Sequence, residues 1–309
     1  MRMILTGDWH LRASRPRSRV DDFVSVQQDK VAEILTYSEE NEVHLIQQAG
    51  DFFNTPNPPY SLLSVYLELL REHRRHGHLV TVLGQHDLYM YSLQSIRRTA
   101  TRAMEAAGVL DIAHSDPAIY GGVSVYGASF GEEIPKPLEN DTNFKVLIAH
   151  RMIGDKALWP GQVLEGPESF LRRNEAYNLI VVGDYHYRFA CQKDGRTIVN
   201  PGCLVRQTTK EQDLEHQPGF YVFDTDTREL ELVLLKTARP AAEVFDLRRT
   251  KGEREVDESL LEFVDKLKEQ TGIGVSFKEN LDRVLTERSA SDEVREVIAD
   301  SMEEVGFSA

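Results

Sequence analysis

The chain has 309 residues, of which 41% are hydrophobic and 28% charged, and its formal net charge is −14. This length suits one large α/β domain with a smaller appendage, and no apolar run approaches the roughly 18 residues that a membrane-spanning helix needs. The acidic balance excludes broad nonspecific attraction to nucleic acid, which is held mainly through its phosphates, so any contact with DNA must be local.

The chain opens on an apolar run, Met1 to Leu5, that reads as a buried strand and leads straight into Asp8-Trp-His10. That start leaves no room for a cleavable signal peptide, and a cytoplasmic protein is expected. A second run ends at Ile46 and is followed by Gly50-Asp51-Phe-Phe-Asn54, and a third ends at Leu83 and is followed by Gly84-Gln-His86-Asp87. Between them, residues 61–75 are amphipathic and predict a helix covering a sheet. Residues 92–107 carry a similar pattern. Further strands are predicted to end at Val125, Ile148 and Val182, the last two running into Ala149-His150 and Gly183-Asp184-Tyr-His186. Strands alternating with helical patterns predict an α/β layered domain.

Later in the chain, residues 220–223 and 229–235 are β-prone and flank Asp224-Thr-Asp-Thr227, which predicts an antiparallel hairpin. The main domain is expected to span residues 1–236. Residues 237–254 read as a connection with one short strand. Apolar residues at helical spacing (Leu260, Leu261, Val264 and Leu267, then Val294, Val297, Ile298 and Met302) predict a small, mainly helical region in residues 237–309. The two cysteines, Cys191 and Cys203, lack paired zinc or redox spacing and read as reduced thiols.

The chemistry concentrates where strands emerge into loops, the place where open α/β sheets build active sites. Asp8, His10, Asp51, Gln85, His150, Asp184 and His186 form the donor inventory of a two-metal hydrolase. Arg12, Arg15, Arg17 and Arg19 follow the first motif. They read either as a phosphate grip or as a solvated basic surface. Tyr185 and Tyr187 stand where they could stack on bases, although aromatics are more often core.

The order and neighbours of these motifs resemble the calcineurin-like metallophosphoesterase superfamily. With Asn200-Pro-Gly-Cys-Leu-Val-Arg206 included, they look most like the SbcD-type DNA repair nucleases. The resemblance covers about residues 1–235 and implies a four-layer metallophosphoesterase β-sandwich flanked by helices. It also implies metal-dependent DNA hydrolysis with two divalent ions, manganese or else magnesium, and a nuclease subunit that works with an SbcC-type coiled-coil ATPase. In that family a homodimer contact runs through the region matching residues 60–107. The helical tail is the candidate docking element for the ATPase.

By the same resemblance Asp8, His10 and His186 would hold one metal and Asp51 would bridge. Gln85, His150 and Asp184 would complete the second site. His86 would act on the transition state or the departing oxygen, with Asp87 orienting its ring. Family members usually carry asparagine at position 85, histidine at 184 and serine at 203. The same fold leaves open a phosphoesterase for small nucleotides or phosphoproteins, and Gln85 with Asp184 leaves open a non-catalytic subunit with a degenerate second metal site.

Overall fold

The apolar runs become the strands of two sheets in the computed structural model, which describes residues 1–247 apart from Arg17, Trp159 and Pro160, together with Leu285, Val294, Arg295 and Ile298. In chain order the elements are β1 (Arg2–Thr6), α1 (Phe23–Glu40), β2 (Leu45–Gln48), α2 (Tyr60–His73), β3 (His78–Thr81), α3 (Ala100–Ala106), β4 (Asp111–Ile112), β5 (Ala118–Tyr120), β6 (Val123–Ala128) and β7 (Phe144–His150). They continue with α4 (Pro167–Arg173), β8 (Leu179–Gly183), β9 (Phe189–Lys193), β10 (Arg196–Asn200), α5 (Glu211–Glu215), β11 (Gly219–Asp224), β12 (Leu230–Leu234) and α6 (Ala241–Val244).

The first sheet has the order β12-β11-β1-β2-β3-β4 and the second β5-β6-β7-β8-β10-β9. The strands that lead into the chemical motifs pair in parallel: β1 with β2, β2 with β3, and β7 with β8. The predicted hairpin forms from β11 and β12 and joins the first sheet through antiparallel pairing of β11 with β1.

Alternation along the buried strands sends side chains to three separate cores. Met3, Leu5, Leu45, Val80, Val125, Ile148 and Val181 fill the space between the sheets. Ile4, Ile46 and Leu79 face the opposite way and pack with Phe23, Ile34, Leu62 and Tyr66 of α1 and α2. On the far side, Leu147, Ile180 and Ile198 meet Phe170 and Leu171 of α4. The result is four layers, helices on sheet on sheet on helix, as the resemblance implies.

Two local expectations differ. Residues 92–107 do not form one helix, because a 3-10 segment, Leu93–Arg98, gives way at Thr99 to α3. The Thr99 side chain accepts from the Arg102 backbone N–H, so this residue starts a new helix. Instead of a short strand, residues 237–247 contain the single-turn α6, and Phe245 makes only an isolated bridge with Arg19.

The chain divides into two compact units, Met1–Asp246 and Leu247–Ala309. The helices predicted at 256–270 and 291–305 lie outside the described residues, apart from Val294, Arg295 and Ile298. There the Arg295 guanidinium donates to the Leu285 carbonyl at 2.9 Å.

His73, on the inner face of α2, is 2% exposed, and neither ring nitrogen has a hydrogen-bond partner. Burial, helped by His76 and His78, lowers its pKa to about 4. Between pH 6.5 and 4 the unfolded chain therefore binds a proton that the folded chain refuses, and stability falls as pH drops through this window. His73→Leu is expected to stabilise the protein by about 1–2 kcal/mol at pH 7, since two unsatisfied buried groups disappear. It should also flatten the acid limb. Urea unfolding at pH 7 and pH 5 checks this, and a destabilised variant would refute it.

Candidate metal centre

Two loops are zipped together before any donor is placed. The Trp9 and His10 backbone N–H groups donate to the Asp51 carbonyl at 3.1 and 2.8 Å, Leu11 donates to Phe52, and Asn54 donates back to Leu11. Behind them the Gln48 amide donates to the carbonyls of Gly7 and Gly50 and accepts from the Gly50 N–H, so one side chain fastens the ends of β1 and β2. Three candidate donors hold left-handed backbone: His10 at φ 47°, Asp51 at 49° and Asp184 at 76°. Non-glycine residues pay roughly 1 kcal/mol or more for this, and such strain concentrates at functional sites. Gly84 is required by proximity, because a Cβ there would lie 2.0 Å from Asp51 Oδ1.

Six of the seven predicted donors make direct polar contacts in one connected cluster around Asp51, and His186 joins through His10. Asp51 Oδ2 lies 3.5 Å from both His10 Nε2 and His150 Nε2. His10 Nε2 is 3.0 Å from His186 Nε2. The Gln85 carbonyl oxygen accepts from His150 Nε2 at 2.7 Å, and its amide donates to Asp184 Oδ1 at 2.8 Å. The Asp184 backbone N–H in turn donates to Asp8. Among the described residues, two sets of donor atoms converge closely enough to hold a cation, His10 with Asp51 and His86, and Asp8 with Asp51 and His150. Asp51 belongs to both, and His86 falls inside the first.

The electrostatics match a site built for positive charge. Asp51 is fully buried, and its Oδ2 has no hydrogen-bond donor. An orphaned buried carboxylate oxygen between two imidazoles fits a cation as the missing partner. Burial opposes ionisation of Asp51, but His150 and His10 outweigh it and hold its carboxyl well below the ordinary range. Burial pushes Asp8 up to about 8, with Asp51 adding to the shift and His150 opposing it. His150 is raised to about 10, because Asp51 and Asp8 overcome the desolvation of its ring. Consistently, His150 also donates from Nδ1 to the Ala49 carbonyl at 2.7 Å, so both nitrogens carry protons. Burial lowers His10 and His186 and keeps both neutral.

Residues 1–228 match the calcineurin-like phosphoesterase superfamily domain. The chain belongs to this superfamily. Over 90 residues, 28% of this chain, it is 33% identical to the SbcD subunit of the nuclease SbcCD from Bacillus subtilis (strain 168), and the match spans 22% of that relative's length. Among solved structures, the protein TT1561 of Thermus thermophilus is 14% identical, with 75% of this chain and 98% of that chain covered and a TM-score of 0.46. A structure described as a novel archaeal phosphodiesterase is 13% identical, with 76% and 100% covered and a TM-score of 0.40. The calcineurin-like phosphoesterase fold implies divalent metals, and the two donor groups around Asp51 are candidates to hold them.

Several placements within this phosphoesterase domain correct the sequence reading. Asp87 does not orient His86. Its carboxylate accepts from the backbone N–H groups of Phe52, Phe53 and Gly84 and from the Thr101 hydroxyl, so it ties loops together from beneath. His86 is instead steered by the Asn54 carbonyl, which accepts from Nδ1 at 3.1 Å. A backbone carbonyl leaves no residue-type signal in sequence.

Arg19 is no surface grip, for it is 2% exposed and its guanidinium donates to both oxygens of Asp21 and to the Arg206 carbonyl. Arg12 is half-buried and donates to Ser14, Arg15 is exposed, and Arg17 lies outside the described residues. Tyr187 is half-buried beside Tyr185, their ring centroids 5.4 Å apart. Asn200, whose motif was legible but not its role, donates to the Tyr185 carbonyl and accepts from the Gly202 N–H at 2.8 Å, which pins the loop bearing His186.

Two of the three departures from the family pattern contact each other, since Gln85 reaches Asp184 directly. Shortening Gln85 or removing the Asp184 carboxylate alone breaks this bridge. Each of Gln85→Asn and Asp184→His is expected to weaken manganese binding about 10-fold, while the double variant loses less than the product of the two. Calorimetric titration of all four proteins tests the coupling, and strictly multiplicative losses would disprove it.

Proposed function

We propose that the chain is a metal-dependent phosphodiesterase acting on DNA, the nuclease subunit of an SbcCD-like complex in DNA repair or recombination. The observation that carries this reading is the shared carboxylate of Asp51, buried at the convergence of both sheets with its Oδ2 unpartnered between two imidazoles. The similarity to the SbcD subunit from Bacillus subtilis supports the choice of DNA over other phosphodiesters.

Asp8, His10, Asp51 and His186 would hold one cation, and Asp51, Gln85, His150 and Asp184 the second. The oxygen donors Gln85 and Asp184 favour manganese or magnesium. When bound, the cations supply Lewis-acid stabilisation of phosphoryl oxygens and activation of water. His86 keeps Nδ1 on the Asn54 carbonyl and so presents Nε2 to deliver a proton to the departing oxygen. Asp87 holds the loops on which Asp51 and His86 stand. Arg12 and Arg15 stand beside the first motif and provide the local grip on DNA phosphates. The ATPase partner would dock on residues 255–309, and a second copy of the chain through residues 60–107. A cytoplasmic location accords with this role, and no helix among the described residues is long and apolar enough to cross a membrane.

Cleavage of end-labelled single- and double-stranded DNA with manganese, beside hydrolysis of bis-p-nitrophenyl phosphate, tests the reading. DNA cutting that chelator abolishes is the expected result. Turnover of the small diester with no cutting of either DNA, even with the ATPase partner present, would overturn the choice of substrate.

A further inference from the structure

A cavity of about 470 Å³ adjoins the loop that carries His186, and its lining includes the residues on either side of that histidine, Tyr185 and Tyr187. The two regions share one loop. A Cβ built on Gly202 would meet the His216 ring at 2.9 Å, the His186 carbonyl at 3.1 Å and the Arg188 nitrogen at 3.3 Å, and the Cys203 N–H donates to the His186 carbonyl at 3.1 Å. The loop that carries His186 into the Asp51 cluster therefore also forms part of the cavity wall.

The lining specifies what fits. The half-buried Tyr187 and Phe189 line it together with the buried Tyr185, which stands edge-on to Tyr187 at 5.4 Å and lies 6.3 Å from Phe189 by ring centroids. Leu232 and Leu234 of β12 stand on the lining as well, 41% and 43% exposed, and offer an apolar surface to it. On the same lining Gln212 and Gln217 carry amides, groups that both donate and accept.

The charges balance. Lys156 and Arg188 are offset by Asp155 and Glu215, and the Arg188 guanidinium is already committed to the carbonyls of Pro201 and Gln217. A phosphate track would need an excess of uncommitted cations. Apolar faces with hydrogen-bonding edges and no net charge match a nucleobase.

We propose that this cavity receives the unstacked base of the nucleotide flanking the phosphate that the centre cleaves. The proposal rests on the phosphodiester reading only for where the phosphate sits. The base could be delivered by a strand or by a free nucleotide, and the cavity recognises the chemistry common to both. Stacking on tyrosine and packing on leucine make the site sequence-tolerant, while the two glutamines read polar edges.

The test uses the full chain without divalent metal and follows the fluorescence of 2-aminopurine in three probes: the riboside, its 5′-monophosphate and a short single-stranded oligodeoxynucleotide. Saturable quenching is expected. Tyr187→Ala and Leu234→Glu should each weaken it by about 10- to 100-fold, and Tyr187→Phe, which keeps the ring, by less than about twofold. Tighter binding of the oligodeoxynucleotide than of the monophosphate assigns the base to a strand, and equal binding assigns it to a free nucleotide.

Absence of saturable quenching with all three probes, or quenching indifferent to Leu234→Glu on the exposed edge strand, overturns the proposal. Bis-p-nitrophenyl phosphate hydrolysis with manganese, run in parallel, reports on the centre alone. Base binding without hydrolysis would discredit the phosphodiesterase reading and leave the cavity assigned, and hydrolysis without base binding would do the reverse.

Discussion

Asp51→Asn is expected to lower metal-dependent hydrolysis of bis-p-nitrophenyl phosphate by on the order of 10³-fold, the largest effect of any single substitution in the cluster. Asp51 is the one side chain common to both donor groups, so its loss weakens both sites together. The amide keeps the shape of the carboxylate and can still accept the His86 backbone N–H that Asp51 Oδ1 accepts at 2.8 Å. Removing a charge buried between His10 and His150 leaves the loops nearly as they are. Circular dichroism should therefore show an intact fold while kcat/KM collapses. Activity within about tenfold of the parent would mean that the centre lies elsewhere.

Cation affinity is expected to climb steeply with pH. Asp8 near 8 and His150 near 10 are both protonated in the metal-free protein at pH 6. Cations that take Asp8 in one site and His150 in the other must each displace a proton, so apparent affinity should rise about 10-fold per pH unit at each site between 6 and 8. The metal-free fold has the opposite slope. Both groups bind protons more tightly folded than unfolded, so their stabilising contribution declines as pH rises, for His150 from 6.5 through about 10. Calorimetry in buffers of different ionisation enthalpy counts the protons released. A pH-independent affinity would show that Asp8 and His150 do not hold the cations.

The legible part of this molecule was whatever a local signal encodes. Apolar runs announced β1, β2, β3, β7 and β8 because parallel strands buried on both faces are nearly continuous in hydrophobic residues. Donor side chains announced the loops because aspartate, histidine and glutamine at strand ends have few other reasons to cluster. Strand order was not legible. Nothing local tells β10 to insert between β8 and β9, or β11 to pair with β1, since these pairings join distant parts of the chain. The same holds for the Asn54 carbonyl that steers His86, and for Arg19, whose burial depends on Asp21 and the distant Arg206 carbonyl closing over it. Charge alone made Arg19 look like its neighbour Arg15.

The two sheets each bring part of the cluster: Asp8, His10, Asp51 and Gln85 extend from β1, β2 and β3, and His150, Asp184 and His186 from β7 and β8. Between them lies an apolar seam that includes Leu5, Val80, Ile148 and Val181. An ion bound across that gap would act as a rivet through two plates. Its grip then depends on how firmly the plates adhere along their whole length. Loosening the seam far from any donor, as by Val80→Ala, should reach the centre as a weaker hold on its ion, with every ligand still in place.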